Sequence, residues 1–247
     1  MSKKQVVLFI VEGVSDETAL AIPLEKLFST EHIRFDITNG DITSDYPGRS
    51  IAAKIGECVK RHCDEYKYKR EDFAEVVLLT DMDGTFVEAK SILKDESYER
   101  PYYNSCNILH KNPLMLHKSH SIKQQNLNRL ISLPSVFRTI PFSVYFFSSN
   151  LDHVICNNAN LPHKRKIIEA EKFRKIYYND PSGFIAFFNS EDISVSESYV
   201  GSWNHIKEGA NSLTRCSNLN VLLSPNAMRI ARDFSKIVDN KSDGELK

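Results

Sequence analysis

Val76-Val77-Leu78-Leu79-Thr80-Asp81-Met82-Asp83-Gly84 is the stretch on which the reading of this chain turns. Its first five residues form an uninterrupted apolar and β-branched run, the pattern of a strand buried on both faces. Asp81 and Asp83 follow at the carboxyl end of that run, and Gly84 closes a turn. In an extended segment, residues two apart point the same way, so both carboxylates are expected to aim at one cation. Hard oxygen ligands suit Mg²⁺ or Mn²⁺. Asp-x-Asp-Gly is also good turn chemistry, so a solvated turn is the bland alternative.

Working back toward the start, Val6-Val7-Leu8-Phe9-Ile10-Val11 is a second continuous apolar run, broken by Glu12-Gly13. Ser15 or Asp16 can cap a following helix with Leu20, Leu24, Leu27 and Phe28 on one face, and Pro23 should kink it or shift its start. His32 to Ile37 reads as a short strand. Asn39-Gly40-Asp41 and Asp45-Tyr46-Pro47-Gly48 are turn chemistry. A helix over 49–66 carries Ile51, Ile55, Cys58 and Val59 on its apolar face. Strands alternating with helices imply crossovers and a parallel sheet, whose ligands gather at the carboxyl ends of the strands. Glu12, Asp81 and Asp83 stand at two such ends.

Working forward, residues 85–139 are less regular, punctuated by Pro101, Pro113 and Pro134, with a helix over 122–131. Phe142-Ser143-Val144-Tyr145-Phe146-Phe147 is a fourth core strand, followed by Asn150-Leu151-Asp152-His153. A helix over 164–177 is rich in Lys and Arg, and a last one spans 228–238. The organisation expected is a core over 1–90 and 140–180, an insertion or second lobe over 91–139, and a C-terminal α/β extension over 181–247 packed on the core.

Apolar residues make up 41% of the chain and charged residues 26%, as in ordinary globular proteins. No apolar run is long enough to span a bilayer and no signal peptide is visible, so no membrane role and a cytoplasmic location are expected. The odd number of cysteines, five, at irregular spacing argues for reduced, packed thiols and against zinc or a disulfide framework. With 32 basic and 32 acidic residues, bulk charge alone cannot draw the protein to nucleic acid. The distribution is uneven, however: from Arg100 to Leu151 there is no Asp or Glu. That stretch reads either as a face that meets phosphates or as a partly buried insertion that avoids acids. His117, His120 and His153 are weaker candidates for proton transfer or phosphate binding.

Together, Glu12-Gly13-Val14-Ser15-Asp16 and Asp81-Met82-Asp83 resemble the motifs of the TOPRIM domain, shared by type IA and type II topoisomerases, bacterial primases, a small maturation nuclease for 5S ribosomal RNA and the OLD-family nucleases. The resemblance covers about residues 5–90. It implies a TOPRIM-like α/β fold, a Rossmannoid parallel sheet flanked by helices. The resemblance further implies Glu12, Asp81 and Asp83 as catalytic residues and, with Asp152, as Mg²⁺ or Mn²⁺ ligands. Asp152 lies in a short asparagine-containing segment similar to one in standalone defence-type TOPRIM proteins; a helix cap at Asn150 or Asp152 is the alternative.

Asp81-Met82-Asp83-Gly84-Thr85 also spells the first motif of haloacid-dehalogenase-like phosphatases, with Asp81 as nucleophile and Asp83 as acid/base. That motif normally sits on a first strand, whereas here a full β-α-β-α unit precedes it, and Glu12 is left without a role. A catalytically silent TOPRIM shell used for binding is a third reading. The chain has little room for a topoisomerase gate, and neither a primase zinc motif nor a P-loop is visible. What remains is metal-dependent endonucleolytic hydrolysis of DNA or RNA, with Lys118, Lys123, Arg129, Arg138, Lys164, Arg165 and Lys166 as the residues expected to hold the strand. Resemblance adds an anti-phage role beside a separate ATPase partner, and the sequence leaves homodimerisation open.

Overall fold

The side chains of β1 (Val6–Val11) alternate between two apolar layers, and both layers are buried. On one face Val7, Phe9 and Val11 pack with Leu20 and Leu24 of α1 (Val14–Leu27) and with Phe173, Phe184 and Phe188. The aromatics belong to α5 (His163–Ile176) and α6 (Pro181–Asn189). On the other face Val6, Leu8 and Ile10 meet Ile51, Ile55 and Val59 of α2 (Ile51–Tyr66), and Leu127 and Leu130 of α3 (Pro113–Ile131). Trp203 and Ile206 of α7 (Tyr199–Ile206) complete that layer. A strand that buries both faces needs helices on both sides, which makes this a three-layer α/β protein. The computed structural model describes residues 5–28, 32–44 and 50–224.

The main sheet has five strands in the order β2-β1-β3-β8-β7. Here β2 is His32–Ile37, β3 is Phe73–Asp81, β7 is Ser135–Val136 and β8 is Ile140–Phe147. The pairings β1–β2, β1–β3 and β3–β8 are parallel, so the carboxyl ends of four strands share one edge. The sheet is mixed rather than wholly parallel, because β7 runs antiparallel to β8. Their connection is too short for a crossover, so only a hairpin can join them. Phe137 and Arg138 make its turn, both at positive φ.

The region after β3 folds into a three-stranded sheet, β4-β6-β5, from Ile92–Lys94, Ile108–His110 and Tyr102–Tyr103. Ile92 and Ile108 pack with Val87, Leu116 and Leu213 in a small core of their own. Helix α3 starts well before residue 122. Pro113 occupies its first turn, and the Asn112 side chain accepts a hydrogen bond from the Met115 amide at 3.0 Å. Through Leu127 and Leu130, α3 also roofs the main sheet.

Two further expectations meet different outcomes. Pro23 does not shift the start of α1: the helix begins at Val14 and continues through Pro23, which is buried within it. The described part of the C-terminal extension is helical, ending with α8 (Leu219–Leu222), and touches the sheet through a bridge from Ser217 to Phe147. The expected 228–238 helix and the 45–48 turn lie outside the described residues. Among the described residues no helix is long and apolar enough to cross a membrane. All five cysteines are free thiols.

A carboxylate cluster at the strand ends

Each of the four parallel strands delivers a carboxylate at its carboxyl end. Glu12 follows β1, Asp41 follows β2, Asp81 ends β3, and Asp152 lies in α4 (Leu151–Cys156) after β8. Asp16, in the first turn of α1, joins them. Backbone contacts fix the nearest members. Glu12 Oε1 accepts hydrogen bonds from the Asp81 amide at 3.0 Å and the Thr80 hydroxyl at 3.1 Å. Asp81 Oδ1 accepts from the Leu151 amide at 3.0 Å, and Asp16 Oδ2 from the Gly13 amide at 2.9 Å. Among the described residues, Glu12 Oε2 and Asp81 Oδ2 receive no hydrogen bond.

Asp83 reaches the cluster by a different route from the one its spacing suggests. Strand β3 ends at Asp81, and Asp83 has φ 51°, so the extended-chain argument does not apply beyond Asp81. A left-handed turn carries Asp83 back toward the sheet edge, pinned where its amide donates to Ser149 O at 2.7 Å. Gly84 continues the turn at φ 67°, and a Cβ there would stand 2.6 Å from Ile108 Cδ1 and 2.7 Å from Leu213 Cδ2. Only glycine suits that position.

The Asp83 carboxylate is held from two sides. Tyr103 OH donates to Oδ1 at 2.9 Å, and Lys123 Nζ donates to Oδ2 at 2.9 Å. The same ammonium lies 2.9 Å from Asp41 Oδ2. Asp41 also accepts hydrogen bonds from the Thr43 amide at 2.8 Å and from the Thr43 and Ser44 hydroxyls. Lys123 is 1% exposed, which corrects its expected role: it cannot meet a nucleic-acid strand, because it is an internal counter-charge between two carboxylates. A second lysine, Lys166 of α5, lies 2.5 Å from Asp152 Oδ2.

Burial and mutual repulsion set the proton affinities. Burial raises the Glu12 carboxyl well above the ordinary range, helped by the negative charge of Asp41 and opposed by Lys123. Burial likewise raises Asp81 well up, aided by Glu12 and Asp16. Asp16 is pushed up to about 6 by burial, against the pull of the Gly13 amide, with Asp152 adding repulsion. Burial would raise Asp41 too, yet Lys123 and the flanking hydroxyls hold it low. Desolvation works against the Lys123 charge, but Asp41 and Asp83 outweigh it and keep the amine protonated.

The donor set is all hard oxygen, the kind that suits Mg²⁺ or Mn²⁺. Two of its oxygens lack partners, and the two lysines leave carboxylate repulsion only partly offset. By the chemistry of its donors, though not by their present positions, the set suits a divalent cation. Among the described residues, no three acid, imidazole or thiol groups already stand around one point in chelating positions. Lys123 occupies the space between Asp41 and Asp83.

The remaining sequence candidates do not converge. Asn150, not Asp152, is the α4 cap: its side chain accepts from the His153 amide at 2.9 Å. Asp152 is 4% exposed and turned toward the cluster, where its charge acts on Asp16. Arg138 lies in the turn before β8, at the opposite edge of the sheet from the carboxylates. Arg129 lies beyond Lys123 toward the end of α3 that leads to β7. Lys118 and Lys164 are exposed, and Arg165 pairs with Glu169 at 2.6 Å. Of the named bases, only Lys166 lines the cleft beside Asp81 and Asp83. His120 is buried with both ring nitrogens unpartnered, and burial lowers its pKa to about 4. His153 Nδ1 lies 3.2 Å from the Ser149 hydroxyl.

Sequence reading passed over Asp41 and the true role of Lys123, though both left signals. Asp41 follows the edge strand β2 as Glu12 follows β1, so the strand-end argument extends to it. Leu116, His120, Lys123, Leu127 and Leu130 share one helical spacing, which puts a lysine on a core face. Comparison of the chain with family models, curated proteins and solved structures finds no match.

Proposed function

We propose that this protein is a metal-dependent endonuclease that hydrolyses phosphodiester bonds of DNA or RNA, with a TOPRIM-like core. The observation that carries the proposal is the convergence of Glu12, Asp41, Asp81 and Asp152 from four neighbouring parallel strands, with Asp16 and Asp83 beside them. Structural ion pairs do not require so many acids at a ligand-binding sheet edge. Glu12, Asp81 and Asp83 would hold Mg²⁺ or Mn²⁺, with Asp152 as a further ligand. Such an ion, when bound, supplies Lewis-acid polarisation of the phosphate and of attacking water.

The chain's own groups do the rest. Glu12, whose proton affinity is raised by burial and by Asp41, is suited to accept a proton from water as a general base. Lys123 keeps Asp41 and Asp83 oriented without meeting substrate. Lys166, which lines the cleft and pairs with Asp152, would turn to a phosphate oxygen. Resemblance to defence-associated TOPRIM proteins extends the proposal to an anti-phage role beside a separate ATPase.

The test is incubation of purified protein with labelled DNA and RNA, in Mg²⁺, Mn²⁺ or EDTA, beside Glu12→Gln and Asp81→Asn. A phosphate monoester runs in parallel. Metal-dependent cutting lost in both variants supports the nuclease. Phosphate release from the monoester, lost in Asp81→Asn and kept in Glu12→Gln, establishes the dehalogenase-like phosphatase instead. Metal binding with no turnover of any substrate, alone or beside an ATPase, leaves a binding module.

A further inference from the structure

A cleft of about 520 Å³ opens beside Asp81 and Asp83, with one wall from the insertion and the other from the loop leading into α5. The insertion wall carries two tyrosines, Tyr98 and Tyr102, whose ring centroids lie 4.7 Å apart at 38°. Neither belongs to a hydrophobic core, whereas their neighbour Tyr103 packs against the small core and bonds Asp83. Tyr102 is exposed. Arg100 lines the same wall, exposed and paired with no acid among the described residues. The facing wall carries His163 and Lys166.

The two walls are clipped together. Asn160 accepts from the Tyr103 amide at 2.8 Å and donates to the Tyr103 carbonyl at 2.8 Å. The platform is thereby held at a fixed place relative to the carboxylates. A tyrosine pair with one exposed ring, beside Arg100 and Lys166 in a cleft that also carries Glu99, Asp81 and Asp83, is chemistry that can stack an unpaired base and hold its phosphate. A paired base offers no free face, and a pocket of this size suits one nucleotide rather than a turn of duplex.

We infer that this cleft takes single-stranded nucleic acid, an unpaired base stacking on Tyr98 and Tyr102 while the adjoining phosphate lies between Lys166 and the Asp81–Asp83 turn. This rests on the nuclease reading and names its substrate. The test uses one oligonucleotide carrying 2-aminopurine, single-stranded or annealed, with Mg²⁺, on wild type, Tyr102→Ala and Tyr102→Phe. Fluorescence is recorded on mixing, and cleavage afterwards.

The expected result is preference for the single strand and quenching of 2-aminopurine by wild type and Tyr102→Phe. Tyr102→Ala should lose the quenching and raise KM about tenfold or more, with an unchanged melting temperature. Equal cleavage of both forms with no quenching by wild type overturns the inference while the nuclease stands. No cutting of either form, with or without an ATPase, overturns both.

Discussion

Replacing Lys123 by Met keeps the volume of the side chain and removes a positive charge that Asp41 and Asp83 share. The lysine side chain is 1% exposed, and its ammonium lies 2.9 Å from each carboxylate. Removing one partner of a buried ion pair costs about 3–5 kcal/mol. Asp83 is partly exposed and keeps its bond to Tyr103, so the low end, about 3 kcal/mol, is expected. At roughly 2–4 °C per kcal/mol for a chain of this size, the melting temperature should fall by about 6–12 °C. The pH dependence follows from sign. With Lys123, Asp41 sits below its ordinary value and stabilises the fold at neutral pH, a contribution lost only as pH falls through that depressed value. Without Lys123, burial and repulsion raise Asp41 above its unfolded value, so the variant loses stability as pH rises. The deficit should therefore be large near about pH 7 and smaller near about pH 5. Thermal unfolding by circular dichroism in EDTA reads both. A deficit under about 2 °C, or one equal at the two pH values, refutes the internal counter-charge.

Glu12→Gln relieves repulsion at a buried, raised carboxylate, so it should raise the melting temperature in EDTA. The same variant should lose the stabilisation that Mg²⁺ gives wild type, both readable in one thermal-shift series. Gly84→Ala forces φ 67° on a residue with a Cβ and presses on Ile108 and Leu213. It should cost about 2–4 kcal/mol in urea unfolding. His120 binds its proton at about 4 when folded and at 6.5 when free. The fold therefore loses stability as pH falls from the higher value to the lower, by about 3 kcal/mol in all. His120→Leu should flatten that slope.

Glu12 and Asp81 were legible, unlike Asp41, because buried strands advertise themselves: β1 reads as one unbroken apolar run, and the residue that breaks it is Glu12. The Asp83 geometry was not legible. Residue spacing describes an extended chain, whereas a left-handed turn at Asp83 and Gly84 sets the carboxylate by contacts with Ile108, Leu213 and Ser149, all distant in sequence. The placement of two basic residues escaped the sequence for the same reason. A lysine's partner is a tertiary fact, and Lys123 and Arg138, both in the acid-free stretch, end up inside the protein and at the far edge of the sheet. The β7–β8 hairpin escaped notice because two residues make too short a strand to show a period.

The central claim is that these carboxylates bring a divalent cation to a phosphodiester. The most direct test replaces one non-bridging oxygen at the scissile phosphate by sulfur, as separated stereoisomers, and compares Mg²⁺ with Mn²⁺, which tolerates softer ligands. The account predicts that one isomer is cut slowly in Mg²⁺ and recovers in Mn²⁺, and that Asp81→Asn cuts neither. Equal cutting of both isomers in Mg²⁺, or full activity in Asp81→Asn, would contradict it.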